Sequence, residues 1–400
     1  MISVHADGSP LRSVPVIADF GDVLPFLEHA GERAVVDEQL RLASPHLWRG
    51  LYRREGRVRL FLNHDWLLGL LDLARQRPSD PDLLSRVRLA SRTVRERFTR
   101  RGFLVDERIR TGPPVARLWP ASPFNLGFAE LWADEARLSG DPTPLAWAEE
   151  LGHAWVQTRT FQQHGVFEAQ HALRSPAFNR PRQRLGTMRA RLFKDNTAAV
   201  WGLLALAEAT GDGLWRDALS RWVEGFNRSF FNAGMPCGFV DRRLRGYGPS
   251  LKAAFASVDL LADLHAAGIG EGRPLDLARE IAAVWRGHQW ENGLFPETPG
   301  AHRDHLDANV DMAVALTKLA AHAPDEAGPL AEAASRCARG VIAHHAVPAG
   351  YALAVDTGGR VVDGTVKVKY QALVTKLALL PEDPADLLRD PGRLALLRDR

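Results

Sequence analysis

Three stretches of this chain superpose without a gap. Asn125 is followed fifteen residues later by Gly140-Asp141, and fifteen after Gly140 comes Trp155. Asn196 stands in the same relation to Gly211-Asp212 and Phe226, and Asn309 precedes Pro324-Asp325 by the same interval. Each unit reads as a helix, a tight turn and a returning helix, and self-similarity at a period of roughly 60 residues marks a stack of helical hairpins. Asp80-Pro81 and Asp383-Pro384 match Asp141-Pro142, which sets His64 and Lys367 at the place of the Asn. A further hairpin of the same size runs from Ser250 to Trp285. Six hairpins close most economically into a ring, one helix of each inside and one outside. The pattern therefore predicts an all-α (α/α)6 barrel filling residues 1–400 as one domain. Residues 33–60 are its lead-in, with an extra helix over 34–52 or a seventh hairpin built on it, and 161–194 is an insert at the barrel mouth.

The two helices of a pair differ in composition. DNTAAVWGLLALAEATG at 195–211 is apolar almost all round, as a helix buried on every side must be. LWRDALSRWVEGF at 214–226 puts Leu214, Trp215, Ala218, Leu219, Trp222, Val223 and Phe226 on one stripe, with Arg216, Asp217, Arg221 and Glu224 opposite. The same contrast separates 306–322 from 326–344 and 365–380 from 385–398. First helices are inner and second helices outer. Their 46% hydrophobic content and 11 Trp suffice for a large core.

Other classes recede. Cys237 and Cys337 form no metal or redox motif. No stretch of about 18 apolar residues spans a bilayer, and Met1 to Val16 lacks the pattern of a signal peptide, so a cytoplasmic protein without a membrane partner is expected. The pI of about 9.0 accompanies a net charge of only +3, and no basic run interleaved with aromatics suggests nucleic acid. No cofactor is implied, and no motif has metal-ligand spacing.

If inner helices run alike, their N-termini meet at one end, and the segments entering them concentrate polar residues there. These are His64, Asp65, Asn125, Lys194, Asp195, Asn196, Tyr247, Lys252, His305, Asp307, Asn309, Asp311, Lys367, Lys369 and Tyr370, with Trp201 one turn inside. Helix N-termini add free N–H groups and a positive dipole end. Asp and Asn at such places also serve as plain helix caps. Asp307 and Asp311, four apart on an apolar helix, share a face and are unfavourable together unless something compensates. The 161–194 insert carries Glu168, His171 and six arginines within eighteen residues, among them Arg182, Arg184 and Arg189; Arg favours carboxylate and phosphate. The 289–305 segment adds Trp290, Glu297 and His305, aromatics and carboxylates that suit sugar rings.

Inner helices opening as DNTAAVWGLLALAEATGD and HLDANVDMAVALTKLA resemble those of the six-hairpin carbohydrate enzymes. That group holds glycoside hydrolases, unsaturated glucuronyl hydrolases, polysaccharide lyases and N-acylglucosamine 2-epimerases. The resemblance is architectural and covers about residues 60–398. It implies catalytic aspartates near inner-helix starts, where Asp65, Asp195 and Asp307 stand, or paired histidines in an epimerase. At the last inner helix this chain has Lys367, Lys369 and Tyr370 where an epimerase histidine is expected.

The leading expectation is a glycoside hydrolase acting on an anionic sugar through two carboxylates, Asp195 and Asp311, with Asp65, Asp307, Glu168 and Glu297 in reserve. A 2-epimerase, a uronate lyase with His305, Lys369 or Tyr370 as base, and a non-catalytic docking toroid are the alternatives.

Overall fold

A computed structural model describes residues 24–29, 31, 33–54, 56–105, 120–169, 171–172, 188–232 and 234–397. By its internal contacts the chain divides into two compact units. The first is Ala34–Phe230 with Phe239–Tyr247, and the second is chiefly Gly248–Asp399 with Phe231–Gly238.

In the first unit a lead-in helix, α1 (Arg33–Ala43), precedes three hairpins: α2 (Leu60–Gln76) with α3 (Pro81–Phe98), α4 (Phe128–Ser139) with α5 (Thr143–Val156), and α6 (Thr197–Thr210) with α7 (Gly213–Ser229). The second unit holds α8 (Leu251–Ala266) with α9 (Arg273–Arg286) and α10 (Leu306–His322) with α11 (Ala327–His344). Its last pair is short: α12 (Val368–Val374), a 3-10 turn at Thr375–Leu379, and the fragments Asp386–Arg389 and Pro391–Leu396. Within each unit the first helices pack on one another, α2 on α4 and α4 on α6, α8 on α10 and α10 on α12, and each full hairpin's second helix packs on its first.

The expected polarity holds. Every residue of α6 from Thr197 to Ala207 is buried. α7 buries Trp215, Ala218, Leu219, Trp222, Val223 and Phe226, while Leu214, expected on that stripe, is 40% exposed because it opens the helix. The turns follow from local chemistry. Gly140 and Gly211 close their helices with φ of 70° and 68°, a left-handed conformation costly for any residue with a Cβ. The Asp that follows caps the next helix: Asp141 accepts from Thr143 N (2.9 Å) and Asp212 from Leu214 N (2.9 Å). Asp80 and Asp383 make the same bond to Asp82 N and Ala385 N. Gly202 answers a different demand. A Cβ there would lie 2.2 Å from the Leu126 carbonyl oxygen, so α6 reaches the 123–127 turn only without a side chain.

The repeat Asn is a clasp. Asn196 Oδ1 accepts from Phe167 N (2.9 Å) while its Nδ2 donates to Phe167 O (3.0 Å) and Arg191 O (2.7 Å). Asn309 does the same with Phe295 N (2.8 Å), Phe295 O (3.1 Å) and His305 O (3.3 Å). In the first hairpin the clasp is Asn63, on Tyr52 N (2.6 Å), Tyr52 O (3.1 Å) and Arg59 O (2.9 Å). The alignment that put His64 at this place is off by one, because the Arg77–Asp80 turn is two residues longer than Gly211-Asp212 while the helix from clasp to turn is one residue shorter.

A second correction concerns 34–52. The helix ends at Ala43, where Ser44-Pro45 cannot continue it, and Leu47–Trp48, Leu51–Arg54 and Arg57–Val58 form a three-stranded antiparallel sheet. Its first turn is Arg49-Gly50, both at positive φ.

Candidate functional site

Each unit gathers its own set of buried polar side chains. In the first, the chain leaves the strand Met188–Arg191, and a kink follows in which Phe193 is extended and Lys194 takes φ of 64°. A left-handed Lys is strained, and such strain gathers where function over-determines the backbone. The kink turns Asp195 back onto Arg191. The guanidinium grips it with Nε on Oδ2 (2.9 Å) and Nη2 on Oδ1 (2.7 Å), and Ser122 Oγ donates to Oδ1 (3.3 Å). Asp195 is 2% exposed. Its burial pushes the carboxyl up, and the Arg191 and Ser122 bonds draw it back only in part.

Asp65, also buried, has Lys194 Nζ at 3.8 Å from Oδ2 and His64 Nδ1 at 3.3 Å from Oδ1. The His64 ring lies edge-on to Phe124 and Phe128, and its Nε2 points at the Gly127 backbone with no hydrogen-bond partner among the described residues. His64 is thus a core histidine, 2% exposed. Glu168 holds His171 Nδ1 (2.6 Å) and accepts from Thr160 Oγ1 (3.4 Å). His171 stacks on Phe103, centroids 4.8 Å apart. Its strand pairs with Pro120–Ala121, next to Ser122, which links this dyad to the Asp195 cluster. Asn125 donates to Leu104 O (3.1 Å), and Trp201 is buried in α6. Tyr247 is 41% exposed.

In the second unit, His305 stands at the entrance to α10 and Asp307 in its first turn. Asp307 Oδ1 meets His305 Nδ1 and Oδ2 accepts from Lys252 Nζ (3.0 Å). Burial alone would raise this carboxyl; the His305 bond and the Lys252 charge outweigh it and hold Asp307 well below the usual carboxylate range. Tyr370 sits edge-on to His305, centroids 5.7 Å apart, with Lys367 Nζ 5.1 Å from the Tyr370 ring centroid. Asp311 is buried against Lys376 Nζ (3.2 Å), the compensation its position required. Behind His305, Asp304 accepts from Val355 N (2.8 Å) and Asn309 Nδ2 (3.1 Å) and contacts His345 Nε2 (2.8 Å), all in the core. Glu297 pairs with Arg303 (3.0 Å) at the surface. Trp290 anchors a turn, its carbonyl accepting from Arg336 (3.1 Å) and Gly293 N (2.9 Å).

Several expectations fall differently from their sequence placing. The amides of Asn196 and Asn309 hold backbone, and that of Asn125 holds Leu104, so these three are parts of the scaffold. Asp195 and Asp311, paired in the expected mechanism, belong to different units, and each is engaged by a cation. Arg182 and Arg184 lie outside the described residues, as do the side chains of Arg189 and Lys369. Lys376 and Ser122 were missed; Lys376 is the cation that an acid inside an apolar helix calls for, and only packing names it. Among the described residues no group of three or more His, Cys, Asp or Glu is placed to hold a metal ion.

No family model matches the chain, and no curated protein does. Solved structures do. A cellobiose 2-epimerase from Bacillus thermoamylovorans aligns over 94% of this chain and 91% of its own, with TM-score 0.59 and 9% identity. An unsaturated glucuronyl hydrolase from Bacillus sp. GL1 covers 94% and 96% at TM-score 0.56 and 13% identity. An α-1,6-mannanase from Salegentibacter sp. covers 92% and 99% at TM-score 0.55 and 15% identity. The fold is the six-hairpin (α/α)6 barrel. At such identities the likeness carries the fold and leaves the chemistry to the side chains. No helix among the described residues is long and apolar enough to cross a membrane.

Proposed function

We propose that this six-hairpin protein is a carbohydrate-active enzyme that moves a proton at the carbon beside a sugar carbonyl, as in 2-epimerisation or aldose–ketose isomerisation. The observation that carries the reading is Asp307, held ionised between His305 Nδ1 and Lys252 Nζ. An ionised carboxylate can only accept, so His305 Nδ1 is the donor to Asp307 and Nε2 is the ring nitrogen left to face a substrate proton. Oriented in this way, neutral His305 would serve as a general base through Nε2. Lys252 supplies positive charge where the enediolate oxygen would develop, and Lys252 with Lys367 would favour a sugar bearing an anionic group. The fold is shared with a cellobiose 2-epimerase and a D-mannose isomerase.

The test is incubation with free sugars, uronates and sugar phosphates in D2O, followed by NMR. Expected are deuterium at C2 of an epimer or at C1 of a ketose and a product of otherwise unchanged mass, with both lost in His305→Asn and Asp307→Asn. Absence of exchange on every substrate that is turned over would end this reading.

A second reading, glycoside hydrolysis, is favoured by Asp195, whose burial-raised carboxyl suits a general acid. Against it, taking a proton would cost Asp195 one of its two Arg191 bonds. Release of reducing ends from oligosaccharides, lost in Asp195→Asn, would select hydrolysis.

A further inference from the structure

Residues 303–306 enter α10 as extended chain laid against residues 353–356. Asp304 N donates to Val355 O (3.1 Å) and Leu306 N to Leu353 O (2.9 Å), with an antiparallel bridge between Arg303 and Asp356. Side chains alternate along such a segment. Asp304 and Leu306 go into the core, both wholly buried, and His305 goes to the other side, where it meets Asp307. What holds Asp304 therefore sets the direction of His305. Three elements converge on that carboxyl group: Val355 N on Oδ1 (2.8 Å), and Asn309 Nδ2 (3.1 Å) and His345 Nε2 (2.8 Å) on Oδ2. His345, the residue after α11, is wholly buried too, and its Nδ1 lies 2.8 Å from Ala352 O. A carbonyl can only accept, so Nδ1 carries a hydrogen. The contact of Nε2 with Oδ2 then needs one more proton between them, and the pair as a whole is neutral.

We propose that Asp304 and His345 are positioning residues for His305, a buried dyad that anchors the entrance of α10 from the core side and so holds His305 on Asp307. Neither side chain is exposed, so the dyad meets no substrate and acts only through His305. Burying a carboxyl and an imidazole together is costly unless every polar atom is matched, and here all four are. Apolar side chains often fill such a place with no loss of stability. What the dyad adds is a fixed direction for the chain that carries His305. Without His345, Asp304 would sit in the core with its main partner gone, and turning toward water would carry residues 304–305 with it. The inference rests on the proposed function only in taking His305 as the base.

The test compares His345→Gln with His345→Asn in the full-length protein. A Gln amide reaches the place of the histidine Nε2 and still meets Asp304, whereas an Asn amide reaches only the place of Nδ1 and meets Ala352 O instead. Each variant loses one hydrogen bond, so a purely structural role would lower Tm and activity alike in both. Positioning separates them. His345→Asn should lower kcat for deuterium exchange by about 10–100-fold with KM unchanged, since a misplacement on the order of 1 Å costs about a hundredfold. His345→Gln should stay near the parent. NMR of protein carrying isotope-labelled histidine reads the same contact without any substrate. The His305 ring signals, identified by their loss in His305→Asn, should shift in His345→Asn and hold in His345→Gln. Asp304→Asn offers one amide oxygen to Val355 N and Asn309 Nδ2, where the carboxyl group offers two. It should repeat the His345→Asn pattern, and it replaces that variant if His345→Asn does not fold. Equal effects of His345→Gln and His345→Asn, or unmoved His305 signals in His345→Asn, would overturn the positioning role. If no sugar exchanges deuterium even in the parent, the proposed function falls and the ring signals alone decide the dyad.

Discussion

Replacing Asn196 by Ala tests whether the repeat Asn is a clasp or a ligand-binding residue. Asn196 is wholly buried and satisfies four groups: Phe167 N, Phe167 O, Arg191 O and Trp222 Nε1, the last at 3.3 Å. A buried polar group left without its partner costs about 1–3 kcal/mol. Allowing for relaxation and for the weak Trp222 bond, Asn196→Ala should destabilise by about 3–5 kcal/mol. In a unit of about 200 residues each kcal/mol lowers Tm by roughly 2–4 °C, so a drop of about 6–20 °C is expected. Asn125→Ala is the internal control. Its side chain donates to Leu104 O alone among its clasp-like bonds, and about 1 kcal/mol should be lost. The assay is thermal and urea unfolding followed by far-UV circular dichroism, with Arg216→Ala as a surface reference within about 0.5 kcal/mol of the parent. Equal, small losses at Asn196 and Asn125 would refute the clasp and return these residues to the ligand site.

Three further outcomes follow from the structure. Burial between α4 and α3 raises the Glu135 carboxyl, against the Ser91 hydroxyl and the nearby Arg88 and Arg92. A carboxyl raised in the folded state stabilises below its unfolded value, and that contribution is lost as pH rises through the folded one. Glu135→Gln should therefore match or exceed the parent's Tm at neutral pH and fall behind it in acid; a constant offset across pH would contradict this. Lys318 is fully buried between Asp259 (2.5 Å) and Asp263 (2.7 Å). Lys318→Met should cost about 3–5 kcal/mol, most of it recovered when both aspartates are also made apolar, and no recovery in the triple variant would argue against charge burial as the cause. Gly202→Ala drives a Cβ against the Leu126 carbonyl and should cost at least about 1–3 kcal/mol; a neutral result by urea unfolding would mean that α6 can shift.

The hairpins were legible because their signals are local. An inner helix buried on every side is apolar all round, an outer helix is striped, and the Gly-Asp turn needs only its own φ and its own cap, so the order inner–turn–outer stands in the one-dimensional text. The boundaries that failed, the helix over 34–52 and the Asn assigned to His64, failed where a Pro or a longer turn reset the phase. The site was legible only as an inventory. Asp195, Asp307, Asp311 and His305 could be named, but what each carboxylate touches depends on residues distant in the chain: Ser122 for Asp195, Lys252 for Asp307, Lys376 for Asp311. Those contacts decide which group stays ionised and which carries a proton, because charge in a buried site is set by the nearest opposite charge and by lost water. His345 went unnoticed for the same reason. A His at the end of an outer helix is ordinary surface material until the fold buries it against Asp304, 41 residues away. Sequence determined the secondary elements and their order, since helix periodicity and caps act over a few residues. Only the tertiary structure decided the chemistry, since ion pairs and ring stacks form between residues that the fold alone brings together.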